Sequence, residues 1–279
     1  SQVVQGRAGS RRDAMLDQAV LRRPSVTGAA VASFVLGFVA FGLTFYAAIY
    51  IGPVLLNSAT ETGLKFLPMT AVAFAVAPLG AWLMRRLPVR PLLAGCLVLM
   101  AAGSVLLRAV DESSSWTALV PGFVLIGLGS GAIVPPLVST AVSVVPDPRA
   151  GVAAAINNTA RQLGIAFGVA GLGTYFQARV AGRLDAVQGV DADALAAVIV
   201  GGGFQQAAAA APEEVRAEVA AAGPDAFFAG LDDLFVVLAL VAALGAFIVA
   251  VLIRRADFVI PPGGRRTPAE PARELAAVP

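Results

Sequence analysis

No charged residue interrupts the run from Val26 to Leu56, and five further apolar blocks follow it along the chain. A helix needs about 20 apolar residues to cross the hydrocarbon core of a bilayer. By that measure the pattern predicts spans over 26–51, 66–84, 91–107, 116–138, 152–176 and 234–253. Lipid offers no hydrogen bonds to an open backbone, so each block is expected as a helix. The predicted fold is an all-α integral membrane bundle of six transmembrane helices over 25–255. Residues 1–24 read as a cytoplasmic linker and 256–279 as a cytoplasmic tail. In the linker, Met15, Leu16, Val20 and Leu21 recur at helical spacing beside Asp13, Asp17 and Arg22, the pattern of an interfacial helix.

The predicted long outer loop, 177–230, is the chain's one extended connection. Ala194 to Pro212 is uncharged but carries Gly201, Gly202, Gly203, Gln205 and Gln206, so it reads as non-spanning. Pro212 followed by Glu213 and Glu214 predicts a helix start, and Gly223 with Pro224 a stop. A short helix outside the membrane is expected between them, and the loop reads either as a lid or as an Ala-rich spacer.

Composition excludes most soluble classes, because the chain is 58% hydrophobic and 14% charged, where soluble domains average about 25% charged. The basic pI of 9.1 does not imply nucleic acid. The arginines form membrane-flanking pairs such as Arg22 with Arg23, Arg85 with Arg86 and Arg254 with Arg255. With both termini cytoplasmic, these pairs fall inside, as the positive-inside bias requires. Lys65, Arg108, Arg179, Arg183 and Arg216 then fall outside, among acids that include Asp111, Glu112, Asp191, Asp232 and Asp233. Arginine is used almost to the exclusion of lysine, a GC-rich bacterial habit, so the expected location is a bacterial cell (inner) membrane. The start at Ser1 in an Arg-rich polar stretch, without a signal peptide, reads as a piece of a longer protein.

The chain has no His and a single cysteine, Cys96. No disulfide, metal centre or cofactor is therefore expected. An intramembrane enzyme would need paired acids, His or an activated nucleophile, and the spans lack them.

Polar residues inside the bilayer are costly unless they face a partner or a water-filled path. They concentrate in the fifth span, where Asn157, Asn158, Arg161 and Gln162 stand three or four apart and so share a helical face. Two readings fit Arg161: a cation lining a cavity, or an arginine snorkelling to headgroups from near the inner boundary. In the fourth span, Gly127, Gly129 and Gly131 allow close helix approach, and Pro135 and Pro136 remove backbone donors and bend the helix. Gly164 and Gly168 suit the same packing role in the fifth. Phe34, Phe38, Phe41, Phe45 and Tyr46 recur along the first span, with Phe38 and Phe45 the aromatic candidates to touch a cargo.

The order of these motifs resembles the C-terminal half of a major facilitator superfamily transporter of the fourteen-spanning drug/proton antiporter type. The resemblance rests on Leu21-Arg22-Arg23-Pro24, Gly63-Leu-Lys-Phe-Leu-Pro68, Arg86-Leu-Pro-Val-Arg90-Pro91, Gly127-Leu-Gly-Ser-Gly131 through Pro135-Pro136, and Arg149-Ala-Gly151 through Asn158-Thr-Ala-Arg161-Gln-Leu-Gly164. It runs from about Asp13 to Arg255. It implies multidrug efflux of small hydrophobic or cationic molecules, completed by a missing N-terminal half or a second copy. A half-sized scaffold and a homodimeric carrier are the alternatives. The family's inner loop often carries an Asp-Arg pair between glycines; here Arg86 and Arg90 persist, with Arg149 in the next inner loop, and the acid is missing. No predicted span has an interior Asp or Glu, so proton coupling is expected in the other half.

Overall fold

The computed structural model describes residues 24–110, 114–143, 150–185, 187 and 189–253. The expected interfacial helix, the cytoplasmic tail and Arg149 lie outside the described residues. Helix α1 (Pro24–Ile49) runs into a π turn at Tyr50–Val54. Then follow α2 (Ala59–Lys65), α3 (Leu67–Leu83) and α4 (Val89–Leu106), which ends in a 3₁₀ turn at Leu107–Ala109. A second 3₁₀ turn, Trp116–Leu119, leads into α5 (Val120–Ser143). Helix α6 (Ala150–Ala166) passes through a π turn at Phe167–Gly171 into α7 (Leu172–Leu184). Two short helices, α8 (Ala192–Val200) and α9 (Phe204–Ala210), precede the long α10 (Arg216–Leu252).

Four of these runs, Pro24–Val54, Val89–Ala109, Trp116–Thr140 and Arg216–Leu252, are long and apolar enough to cross a membrane. Helices α2 and α3, joined at a 42° bend, together make a fifth. The run Ala150–Leu184 is long enough, but Asn157, Asn158, Arg161 and Gln162 dilute its apolar content.

The helices alternate in direction. Phe34 meets Gly164 and Phe38 meets Gly168, so α1 and α6 run parallel. Gly28 lies against Ile253 and Gly245 against Val35, so α1 and α10 are antiparallel. Gly127 faces Met69 and Gly131 faces Ala73, making α3 and α5 parallel, whereas Gly129 faces Cys96 and Gly122 faces Leu107, making α4 and α5 antiparallel. Pro24, Leu83, Val89 and Leu252 thus gather at one end of the bundle. Helix α5 packs between α3 and α4, and α10 between α4 and α1. The core is continuous across these contacts, with Tyr46, Tyr50, Phe123, Phe176, Phe227 and Phe235 as its largest fully buried side chains. Helix α3 stays at the edge, with Gly80 its one buried residue and Phe74 84% exposed.

Glycine determines how closely these helices pass. A Cβ on Gly127 would stand 2.5 Å from the Met69 carbonyl oxygen, and one on Gly129 2.6 Å from that of Cys96. Cβ atoms on Gly131 and Gly164 would collide with the carbonyls of Ala73 and Phe34. In lipid, where apolar surface is no longer hidden from water by helix association, this close van der Waals contact holds helices together.

The expected helix stop at Gly223 and Pro224 is absent: α10 continues through Pro224 for 37 residues. Its start is also shifted, because Val215 N–H closes a turn on the Pro212 carbonyl and the helix begins at Arg216. An interior proline costs about 3 kcal/mol. Val219, Ala226, Phe227 and Leu231 are all buried beside it, and full burial of a large apolar side chain contributes about 1.5–3 kcal/mol. Packing therefore overrides the local stop signal. The connection over 177–230, expected as a loop, is helical for most of its length. It buries Leu195, Ala196, Ile199 and Ala207. The turn between α8 and α9 depends on Gly202, whose φ of +81° favours glycine and whose missing Cβ leaves room for Pro53.

Replacing Gly164 by Leu is expected to destabilise the bundle by at least about 2 kcal/mol, since overpacking forces the backbones apart. Gly182→Ala, at a position with nothing within 4 Å, should be neutral or slightly stabilising. Thermal unfolding of the full-length protein, followed by size-exclusion chromatography, measures both; an unchanged melting curve for Gly164→Leu would refute the close crossing.

Candidate functional site

Helix α6 opens on small residues, Ala150-Gly-Val-Ala-Ala-Ala, and comes against α1 further along, at Arg161 and Gly164. Where the two cross, Gly37 has no room for a Cβ because the Arg161 carbonyl occupies it. Arg161 is thus level with Gly37. From Pro24 to Gly37 at about 1.5 Å per residue is roughly 20 Å, in a run of 31 residues from Pro24 to Val54. The Arg161 backbone lies near the middle of α1 rather than at its end.

Beside this crossing, α1, α5 and α6 line a half-open cavity of about 290 Å³. Ser33 and Leu36 line it from α1, Val134, Leu137 and Val138 from α5, and Ala154, Asn157, Asn158 and Arg161 from α6. Its walls are apolar except for the α6 side and Ser33. The Arg161 Nη2 donates a 2.9 Å hydrogen bond to Asn158 Oδ1. Among the described residues, no carboxylate lies within ion-pair distance of Arg161. Asn157 Oδ1 is buried and has no hydrogen-bond partner. A buried acceptor without a donor costs about 1–3 kcal/mol, so the cavity holds an unmet polar demand next to a cation.

Asn157, Asn158 and Arg161 are therefore brought together, while Gln162 is exposed and does not line the cavity. Phe38 and Phe45 do not line it either. Phe38 lies over Gly168 and stacks on Phe34 at 6.0 Å, and Phe45 stands half exposed, edge-on to Tyr46 at 5.1 Å. Helix α5 continues through Pro135 and Pro136 without a break, and the Thr140 hydroxyl donates to the Pro136 carbonyl at 2.7 Å. Gly127, Gly129 and Gly131 lie earlier in α5, at its contacts with α3 and α4. Arg86 and Arg90 are exposed at the bundle's Pro24 end, Arg86 with its guanidinium 5.1 Å from the Trp82 ring centre.

Three features escaped sequence reading. Ser33 and the α5 residues Val134, Leu137 and Val138 complete the cavity; only Ser33, a polar residue inside an apolar run, left a signal. The Tyr46 hydroxyl donates at 2.6 Å to the Val169 carbonyl in the π turn between α6 and α7. At the far end of the bundle, Asp232 accepts two bonds from Arg108, at 2.9 and 3.0 Å, while Asp233 pairs with Arg179 at 2.6 Å and lies 3.8 Å from Arg183. These arginines are about half exposed, so solvent screens the pairs and they orient α10 more than they stabilise it.

Comparison with known proteins adds a family. The sequence profile of the Major Facilitator Superfamily matches residues 4–169, more than half of the chain. The puromycin resistance protein pur8 of Streptomyces alboniger is 38% identical over 138 residues, covering 48% of this chain and 27% of that protein. The multidrug efflux pump LfrA of Mycolicibacterium smegmatis is 26% identical over 86% of this chain and 48% of its own length. The chain thus spans about half the length of that relative. Among solved structures, a bacterial homologue of the human lysosomal transporter Spinster, inward-facing and unoccupied, superposes with a TM-score of 0.63 at 17% identity. The match covers 90% of this chain and 51% of that one.

Because Asn157 Oδ1 has no bond to lose, Asn157→Leu should leave stability unchanged or raise it by about 1 kcal/mol. Chemical or thermal unfolding of the full-length protein in detergent checks this, and a loss above about 2 kcal/mol would mean that Asn157 holds a structural bond.

Proposed function

The chain belongs to the Major Facilitator Superfamily, and from that premise we propose that it is the C-terminal half of an efflux carrier for hydrophobic drug-like molecules. It is a multi-pass membrane protein. The observation that carries the proposal is the apolar cavity with a polar α6 wall at mid-helix depth, in a chain similar to a multidrug efflux pump over 86% of its length. Superfamily transporters bind cargo between two halves at the bilayer midplane and rock one half against the other. Val134 and Val138 at the cavity's open side, and Leu163 and Phe167 elsewhere on the α6–α7 run, are exposed; in this reading they meet cargo, lipid or the other half.

Helices α1, α4, α5 and α10, the bent pair α2–α3 and the run α6–α7 are then the six spans, with α8 and α9 capping the outer end. Both ends of the bundle's chain, Pro24 and Leu252, lie on the side of Arg85, Arg86 and Arg90, which supports a cytoplasmic location for the termini in a bacterial inner membrane. Helices α1 and α3 to α7 contain no Asp or Glu. A proton-coupling carboxylate is then expected in the remaining half, because a second copy would bring the same acid-free helices.

Two measurements test this. A C-terminal tag at the native locus should report a membrane band near twice 28.3 kDa; a band near 28.3 kDa would replace the missing half with a second copy or a partner. Cells expressing the full-length protein in a host lacking other pumps should extrude ethidium, with a protonophore abolishing export. Ethidium accumulation equal to that of the empty host would refute efflux.

A further inference from the structure

We propose that the α1–α5–α6 cavity is an oxyanion subsite, built to take a carboxylate on an otherwise apolar cargo, and this rests on the carrier reading above. The first ground is depth. The hydrocarbon core of a bilayer is about 30 Å thick, and Arg161, level with Gly37, sits roughly 20 Å along α1 from Pro24. Headgroup phosphates at the Pro24 end are out of its reach, and a cation at such depth faces a water-filled path or takes a polar or acidic partner.

The second ground is the supply of donors. A guanidinium has five N–H donors in a planar fork, and the hydrogen bond to Asn158 uses one nitrogen. Helices α1, α5 and α6 contain no Asp or Glu to engage the rest. A carboxylate matches that fork in shape and charge. The third ground is Asn157 Oδ1, buried and without a donor in the same cavity. A hydroxyl or amide N–H next to the cargo's carboxylate would satisfy it. The remaining walls, Leu36, Val134, Leu137 and Val138, accept an apolar body.

Binding of fluorescein, a flat aromatic ring system that carries a carboxylate and a phenolic oxygen, to the full-length protein in neutral phosphatidylcholine nanodiscs tests the subsite by fluorescence anisotropy. Wild type should bind it, Arg161→Gln at least tenfold more weakly, Arg161→Lys between the two, and Asn157→Leu severalfold more weakly. Equal binding by wild type and Arg161→Gln would overturn the proposal, as would no binding by wild type, which would mean that Arg161 is neutralised within the protein. Loss of binding when phosphatidylglycerol replaces phosphatidylcholine would give the site to lipid and overturn it too. Ethidium export separates the two readings. If wild type and Arg161→Gln both export ethidium while fluorescein is not bound, the carrier stands and the subsite fails. If wild type exports no ethidium, the carrier reading fails, and the subsite's place in a transport path fails with it.

Discussion

Close contact between helix backbones at glycine is the constraint on which the rest of this structure depends. Water expels apolar surface in a soluble protein, but lipid tails are as apolar as leucine, so a membrane bundle must gain its cohesion from contact itself. Dispersion between atoms is weak singly and falls off steeply with separation. Gly37, Gly164 and Gly168 bring α1 and α6 to backbone contact, and Gly127, Gly129 and Gly131 do so for α5 on two sides. The same contacts fix depth. Because Gly37 takes the Arg161 carbonyl, the vertical position of the one polar patch in α6 follows from a missing side chain on a different helix.

That placement explains how a helix too polar for an isolated span keeps its place in the bundle. Asn157, Asn158 and Arg161 line the cavity shared with α1 and α5, and Gly164 with Gly168 beyond it holds the same run against α1. The apolar exterior remains with Leu163 and Phe167, which are 49% and 58% exposed. Polarity and close packing are thus separated around a single helix.

Most of the architecture was legible in the sequence, and the reason is the solvent. A bilayer demands long apolar helices, so the blocks at 26–51, 91–107 and 116–138 predicted α1, α4 and α5 with small errors at the ends. The glycines named themselves for the same reason. Legibility failed where two elements meet. The i, i+4 rule grouped Gln162 with Asn158, but the cavity wall turned out narrower than that face. Nothing in the spacing announced that Ser33 and Val134 would complete a site with residues far along the chain. Gly223 and Pro224 spelled a stop that buried neighbours overruled, and Asp232 and Asp233 were readable as outer acids but not as ligands of Arg108 and Arg179.

The π turn at Phe167–Gly171 changes the angular phase of one helix. An α-helix advances about 100° per residue, and a wider turn advances less. Upstream of it Gly164 addresses α1, within it Gly168 does, and just beyond it Leu172 still meets Gly42; further along, Phe176 and Val180 reach Gly230 of α10. The hydroxyl of Tyr46, bonded to Val169, holds the turn in place from α1. A single continuous helix therefore serves two different neighbours, and Phe167–Gly171 acts as a fixed joint between two orientations. Losing one residue there would leave Gly164 seated against Phe34 and turn Phe176 and Val180 away from Gly230.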